Sequence, residues 1–181
     1  MPVCEDLILK AAYNADMNHS VYAAAATLPH EELVADRKAF FGSILNTLGH
    51  IVVADIVWLK RFGAHPAAFP ALAPMGAIPV PGGLAEPPAA DLPPLLQLRT
   101  RLDAIISAWA AQVSPDDLLQ PFSYQRMNGE PFCKQFGGVV QHFFNHQTHH
   151  RGQVSTLLFQ QGVDVGVTDL LVWVPDIAPR G

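Results

Sequence analysis

The sequence predicts an all-α protein, a four-helix bundle with a long proline-rich crossover loop and a small β-hairpin before the last helix. Three observations carry this. Three long segments repeat apolar residues at spacings of three and four, the period of a helix that buries one face, and a fourth, at the start, is rich in Ala and Leu with no internal Gly or Pro. One stretch dense in proline and glycine divides the second segment from the third. Asn128-Gly129 stands between two short β-tolerant runs, a strong local hairpin signal. No parallel-sheet pattern, internal repeat, glycine-rich phosphate loop or nucleophile elbow is present.

Cys4 to Leu28 is rich in Ala and Leu, has no internal Gly or Pro, and stops at Pro29. A turn is expected through Pro29-His30-Glu31-Glu32. The second helix is expected from about Arg37 to Phe62, with Phe40, Ile44, Thr47, Ile51, Trp58 and Phe62 inward and Gly63 as its stop. Residues 64 to 90 carry seven prolines and three glycines, a density expected to allow neither a helix nor a central strand, so they form the crossover loop. The third helix starts near Asp91, a candidate N-cap, and runs through Leu95, Leu98, Leu102, Ile105 and Trp109. The hairpin spans Phe122 to Phe132. The fourth helix runs from about Lys134 to Gln161 and ends at Gly162, and the tail from Thr168 to Pro175 is expected to add one short capping helix. Residues 1–181 are taken as one domain, long enough for a full core.

Composition excludes several roles. A formal charge of −5 and the lack of a Lys/Arg-rich patch argue against nucleic acid as partner. Cys4 and Cys133 stand far apart with no CxxC, which excludes a zinc ribbon and argues against a disulfide scaffold. The acidic start of the chain is unlike a signal peptide, and the apolar run from Ile51 to Leu59 is interrupted by Asp55 and far short of a membrane span. The expectation is a cytoplasmic protein with no membrane partner.

Histidine carries the functional signal. The fourth helix contains His142, His146, His149 and His150, and the second contains His50. Two histidines at i and i+4 leave one face of a helix and can share a metal ion. On a wheel of about 100° per residue, with His142 at zero, the apolar face centres near ~110°, with His150 near ~80° and His146 near ~40°. His142 and His149 fall at the rim. The inward pair is therefore His146 and His150, and His50 is the candidate third ligand. From spacing alone the set stands open between a metal site and hydrogen-bonded core histidines. Asp55, just over a turn after His50, is a candidate ligand, supporting partner or substrate contact, or else a solvated or salt-bridged residue. Gln153 is a candidate to orient a ligand or to end in solvent. No helix carries Glu-x-x-His and no HExxH is present, which argues against a di-iron carboxylate bundle and a zincin.

The chain resembles the DinB-like (DinB/YfiT-like) family of metalloenzymes over nearly its whole length. The likeness rests on Tyr13-Asn14 and Asn18, on Phe41-Gly42-Ser43-Ile44 with Thr47-Leu48-Gly49-His50, Ala54-Asp55 and Trp58-Leu59. It rests most on His142-Phe-Phe-Asn-His146-Gln-Thr-His149-His150-Arg151-Gly152-Gln153, and ends on Gly162-Val-Asp and Thr168-Asp169-Leu170-Leu171. The family commonly has Trp three residues after the Tyr, where this chain has Asp16. The resemblance implies a four-helix bundle, often a homodimer, with metal ligands at His50, His146 and His150. It further implies thiol-dependent transferase or isomerase chemistry with a low-molecular-weight thiol.

Three neutral imidazoles leave coordination positions open, as in catalytic rather than structural sites. The expected cofactor is one divalent ion, zinc or nickel first, with iron or manganese next. The expected reaction is attack of a small thiol on an electrophile, an S-transferase or isomerase. The alternatives are a metal-dependent hydrolase of small esters or amides, and a non-enzymatic metal-stabilised stress or binding protein.

Overall fold

The computed structural model describes residues 2–176; Met1 and residues 177–181 of the expected 1–181 domain lie outside the described residues. Its elements in chain order are α1 (Val3–Ala25), α2 (His30–Val34), α3 (Ile44–Phe62), a 3-10 segment (Pro70–Ala77), α4 (Leu92–Ala110), α5 (Pro115–Leu119), β1 (Pro121–Gln125), β2 (Pro131–Gln135), α6 (Phe136–Phe159) and a 3-10 turn (Leu170–Trp173). The four long helices α1, α3, α4 and α6 close a ring: α1 packs on α4 and α6, and α3 packs on the same two. Their apolar faces meet in one cluster that includes Leu45, Leu48, Phe62, Leu95, Leu102, Trp109, Phe136, Phe143 and Leu158. Phe62 stacks on Trp109 at 5.0 Å and meets Phe136 and Phe143 edge-on, so one aromatic knot ties α3, α4 and α6 at the end of the ring.

The sequence-based boundaries need correction at several points. α3 begins at Ile44, not Arg37, because Gly42 sits at φ +78° and Ser43 is an extended N-cap whose hydroxyl accepts from the Asn46 amide at 3.1 Å. Phe40 therefore lies outside the helix and is 87% exposed rather than inward, whereas Thr47, Ile51 and Phe62 are buried as expected. The expected turn at Pro29–Glu32 is the start of a short helix, with Pro29 as its N-cap. The proline-rich stretch holds a 3-10 segment over Pro70–Ala77: Pro70 at its first position loses no hydrogen bond there, and Pro74 is accommodated inside it. α5 arose from a capping box, Ser114 with Asp117, that the sequence reading passed over. Asp91 occupies the N-cap position of α4 but makes no cap bond; its carboxylate lies 3.3 Å from His30 Nδ1.

The hairpin is antiparallel, pairing Pro121 with Gln135 and Gln125 with Pro131. Gly129 takes φ +85° at its tip, the left-handed backbone that glycine tolerates. α6 starts at Phe136, one residue after β2, because residues 131–135 are spent on the strand. In the tail one 3-10 turn forms, and Trp173 reaches α1, where its indole donates to Asp16 at 2.7 Å and meets the Tyr13 ring edge-on at 5.3 Å. That indole stands beside the position where the resembled family carries Trp. Among the described residues no helix is long and apolar enough to cross a membrane.

Candidate metal centre

His50 leaves α3, and His146 and His150 leave α6 one turn apart, where the two helices pack against each other. Their Nε2 atoms converge: His50 to His146 at 3.2 Å and His150 to His146 at 3.1 Å. Nitrogens bound at about 2.05 Å to one tetrahedral ion stand about 3.3 Å apart, so the spacing suits a shared ion. The alternative arrangement, mutual hydrogen bonding, leaves a deficit. His50 Nδ1 donates to the Leu84 carbonyl at 2.8 Å, and His150 Nδ1 donates to Gln153 Oε1 at 2.8 Å. A neutral imidazole protonated at Nδ1 has only a lone pair at Nε2. Two lone pairs then face one His146 nitrogen, which can offer a proton to only one of them. A cation satisfies all three.

Electrostatics favours the neutral, ligating form. Burial lowers the pKa of His50 and of His150, in each case against a hydrogen bond that raises it. His146 is pushed down to about 3, by burial first and then by the surrounding imidazoles. The Phe41 ring stacks on His50 at 4.0 Å and meets His150 edge-on at 5.5 Å, keeping water from one side of the cluster. These three are the His, Cys, Asp or Glu groups brought together within 4.8 Å among the described residues.

The model of the DinB family matches residues 4–176. The chain belongs to the DinB family. It is 23% identical to Protein DinB of Bacillus subtilis (strain 168) over 158 residues, which cover 87% of each chain. No solved structure matches the chain.

Within this DinB-family fold the remaining candidates fall in distinct places. His142 and His149 lie at the exposed rim of α6. Gln153 sits one turn after His149, bonded to His150 and 3.3 Å from His149 Nε2. Asp55 is a core residue: one oxygen accepts from Arg99 and the other from Gln147 at 2.7 Å, and it stands outside the group of three converging histidines. Burial raises the Asp55 pKa while Arg99 opposes it.

Asp55 opens a polar layer that the sequence reading missed. Arg99 on α4 pairs with Asp55 and, at 3.0 Å, with Asp103. Asp103 accepts from Asn18 at 2.8 Å, and Arg151 donates to Asn14 and to Asn18. Two carboxylates and two guanidiniums thereby cross the core and join all four long helices. Arg151 is pushed down to about 10 by burial and stays protonated at neutral pH. Asn14, Asn18, Gln147 and Arg151 were visible as motif residues; Arg99 gave no signal beyond a polar residue on an apolar face.

A cavity of about 680 Å³ opens beside the imidazoles, between α3, the start of α6 and the hairpin. His50 and His146 line one end; Trp58, Tyr124, Met127 and Val139 form apolar walls. Leu84 of the crossover loop, whose carbonyl holds His50, also lines it. The loop and the hairpin therefore both shape this space.

Proposed function

We propose that this protein binds one divalent metal ion through His50, His146 and His150 and uses it to activate a small thiol for attack on an electrophile. The observation that carries the reading is the convergence of three neutral Nε2 atoms at the end of a cavity whose lining contains no Cys, Ser, Thr, Asp or Glu. A bound divalent ion lowers the pKa of a coordinated thiol and so supplies a nucleophile at neutral pH. Leu84 and Gln153 hold the tautomers of His50 and His150, which keeps two ligand lone pairs aimed at one point. Trp58, Tyr124 and Met127 wall the cavity and seat an apolar substrate body. Cys4 donates to the Val113 carbonyl and Cys133 is exposed on β2, so neither thiol lines the cavity and the nucleophile comes from outside the chain. Ester or amide hydrolysis is the second reading, since the same ion would lower the pKa of a bound water as it would a thiol's.

The test is metal analysis of tag-free protein beside His50→Ala and His146→Ala, followed by cobalt substitution and thiol titration. One equivalent of metal in the wild type, lost in both variants, with a thiol-induced change in the visible cobalt spectrum and thiol-dependent turnover, is the expected result. No metal uptake after loading with zinc or nickel refutes the site. Metal uptake without any thiol response refutes the chemistry.

A further inference from the structure

The charges around this cavity are not balanced. The protein carries −5 overall, yet Arg61, Arg126 and Lys134 line the cavity and no carboxylate does. Arg126 is neutralised by Glu130 at 3.0 Å on the exposed hairpin. Arg61 and Lys134 have no carboxylate within ion-pair distance among the described residues.

Arg61 is also built into place. Its guanidinium lies over the Trp58 ring at 4.7 Å and over the Tyr124 ring at 5.3 Å. Two aromatic faces on two different elements hold the cation without discharging it. A fixed guanidinium of this kind, part-shielded from water, is a preferred partner for a planar acid group.

Position adds direction. His50, Ala54, Val57, Trp58 and Arg61 recur at helical spacing and all line the cavity, so α3 lays one stripe along it. His50 and Arg61 are 11 residues apart, about 16 Å along the helix axis at ~1.5 Å per residue. The walls between them are Val57, Trp58 and Val139. The cavity thus has imidazoles at one end, a caged cation at the other, and apolar surface between.

We infer that this cavity takes an elongated organic acid, with its carboxylate on Arg61 and Lys134, its apolar body along Trp58 and Val139, and its far end at the imidazoles. This rests on the reading of the three histidines as the reactive end, and it names the substrate class for that site. The cationic end draws an anion into a negatively charged protein and sets which end of it faces the histidines.

The experiment is titration calorimetry of the full chain with 4-phenylbutyrate and with its neutral isostere 4-phenylbutanamide, before and after chelation of metal. Arg61→Met, which keeps the apolar stem between the rings, and Lys134→Met, at an exposed position, are measured beside the wild type, with circular dichroism to check their fold. The acid is expected to bind at least tenfold more tightly than the amide. Arg61→Met should lose about 10–100-fold in affinity, as for a charge-assisted contact, Lys134→Met several-fold, and both effects should persist in chelated protein. Equal binding of acid and amide, no binding of the acid, or affinities unchanged in both variants overturns the inference. Binding that disappears on chelation and ignores Arg61 places the carboxylate at the histidine end, which overturns this inference while supporting the metal centre. Arg61-dependent binding in a protein that never takes up metal leaves the acid site standing and refutes the metal centre instead.

Discussion

Gly49→Ala tests how the crossover loop governs the proposed metal centre. A methyl group at position 49 would overlap the Pro87 Cβ and stand 3.0 Å from its Cα. Carbon atoms in contact prefer about 3.5–4.0 Å, so the loop must retreat by about 1 Å or more. Leu84, three residues before Pro87, carries the carbonyl that accepts from His50 Nδ1 at 2.8 Å. A retreat of that size takes the contact beyond hydrogen-bond range and frees the His50 ring to turn. The overpacking itself costs about 1–3 kcal/mol of stability. Loss of a partner that orients a metal-binding histidine costs about 10–100-fold in metal affinity. The assay is competition for zinc against a chromophoric chelator, paired with thermal melts of metal-free protein. Gly49→Ala is expected to lose at least tenfold in affinity with only a modest fall in the metal-free melting temperature. Wild-type zinc affinity in a folded Gly49→Ala would refute the idea that the loop aligns His50. Because the acceptor is a backbone carbonyl, no side-chain change at Leu84 asks the same question.

Three further outcomes follow from the same geometry. Gln153→Leu removes the acceptor on His150 Nδ1 and should weaken zinc binding about tenfold in the same competition, with the fold intact by circular dichroism, since Gln153 is only half-buried. Arg99→Leu leaves Asp55 and Asp103 without their shared cation in the core and should cost about 3–5 kcal/mol in urea unfolding, the largest loss of the set. Burial pushes the Asp103 carboxyl up to about 6, against the pull of Arg99. The unfolded chain releases that proton near pH ~3.9. Between these values the folded state holds a proton that the unfolded state has lost, so this contribution to stability is complete below about pH 4 and is lost as pH rises through about 6. Asp103→Asn should flatten the stability profile over that window, read as the difference between the two unfolding curves; an unchanged slope would contradict the assignment.

Periodicity made three of the four long helices legible, and composition the first; where periodicity failed the cause was local. Phe40 matched the apolar phase of α3, but Gly42 and Ser43 stop the helix before it, and a phase count does not see a residue held at positive φ. Pro70–Ala77 looked too rich in proline for any helix, yet Pro70 at the start of the 3-10 segment removes no bond that would have formed, and the short segment accommodates Pro74 within it. Asp55 was legible as a polar residue on an apolar helix and open to several roles; only the packed helices bring it the Arg99 and Gln147 partners it has.

What the sequence determined by itself is what one rigid helix determines. His146 and His150 lie one turn apart on α6, so their shared face follows from 3.6 residues per turn, as does the apolar face that draws the pair inward. Tertiary structure alone decided what meets them. His50 arrives from 96 residues away, Leu84 offers a backbone carbonyl that no residue type announces, and Arg61 becomes a caged cation only when Tyr124 of the hairpin closes over it. Each depends on which helices pack and where a loop lies, and those are settled by burial of the whole core rather than by any local pattern.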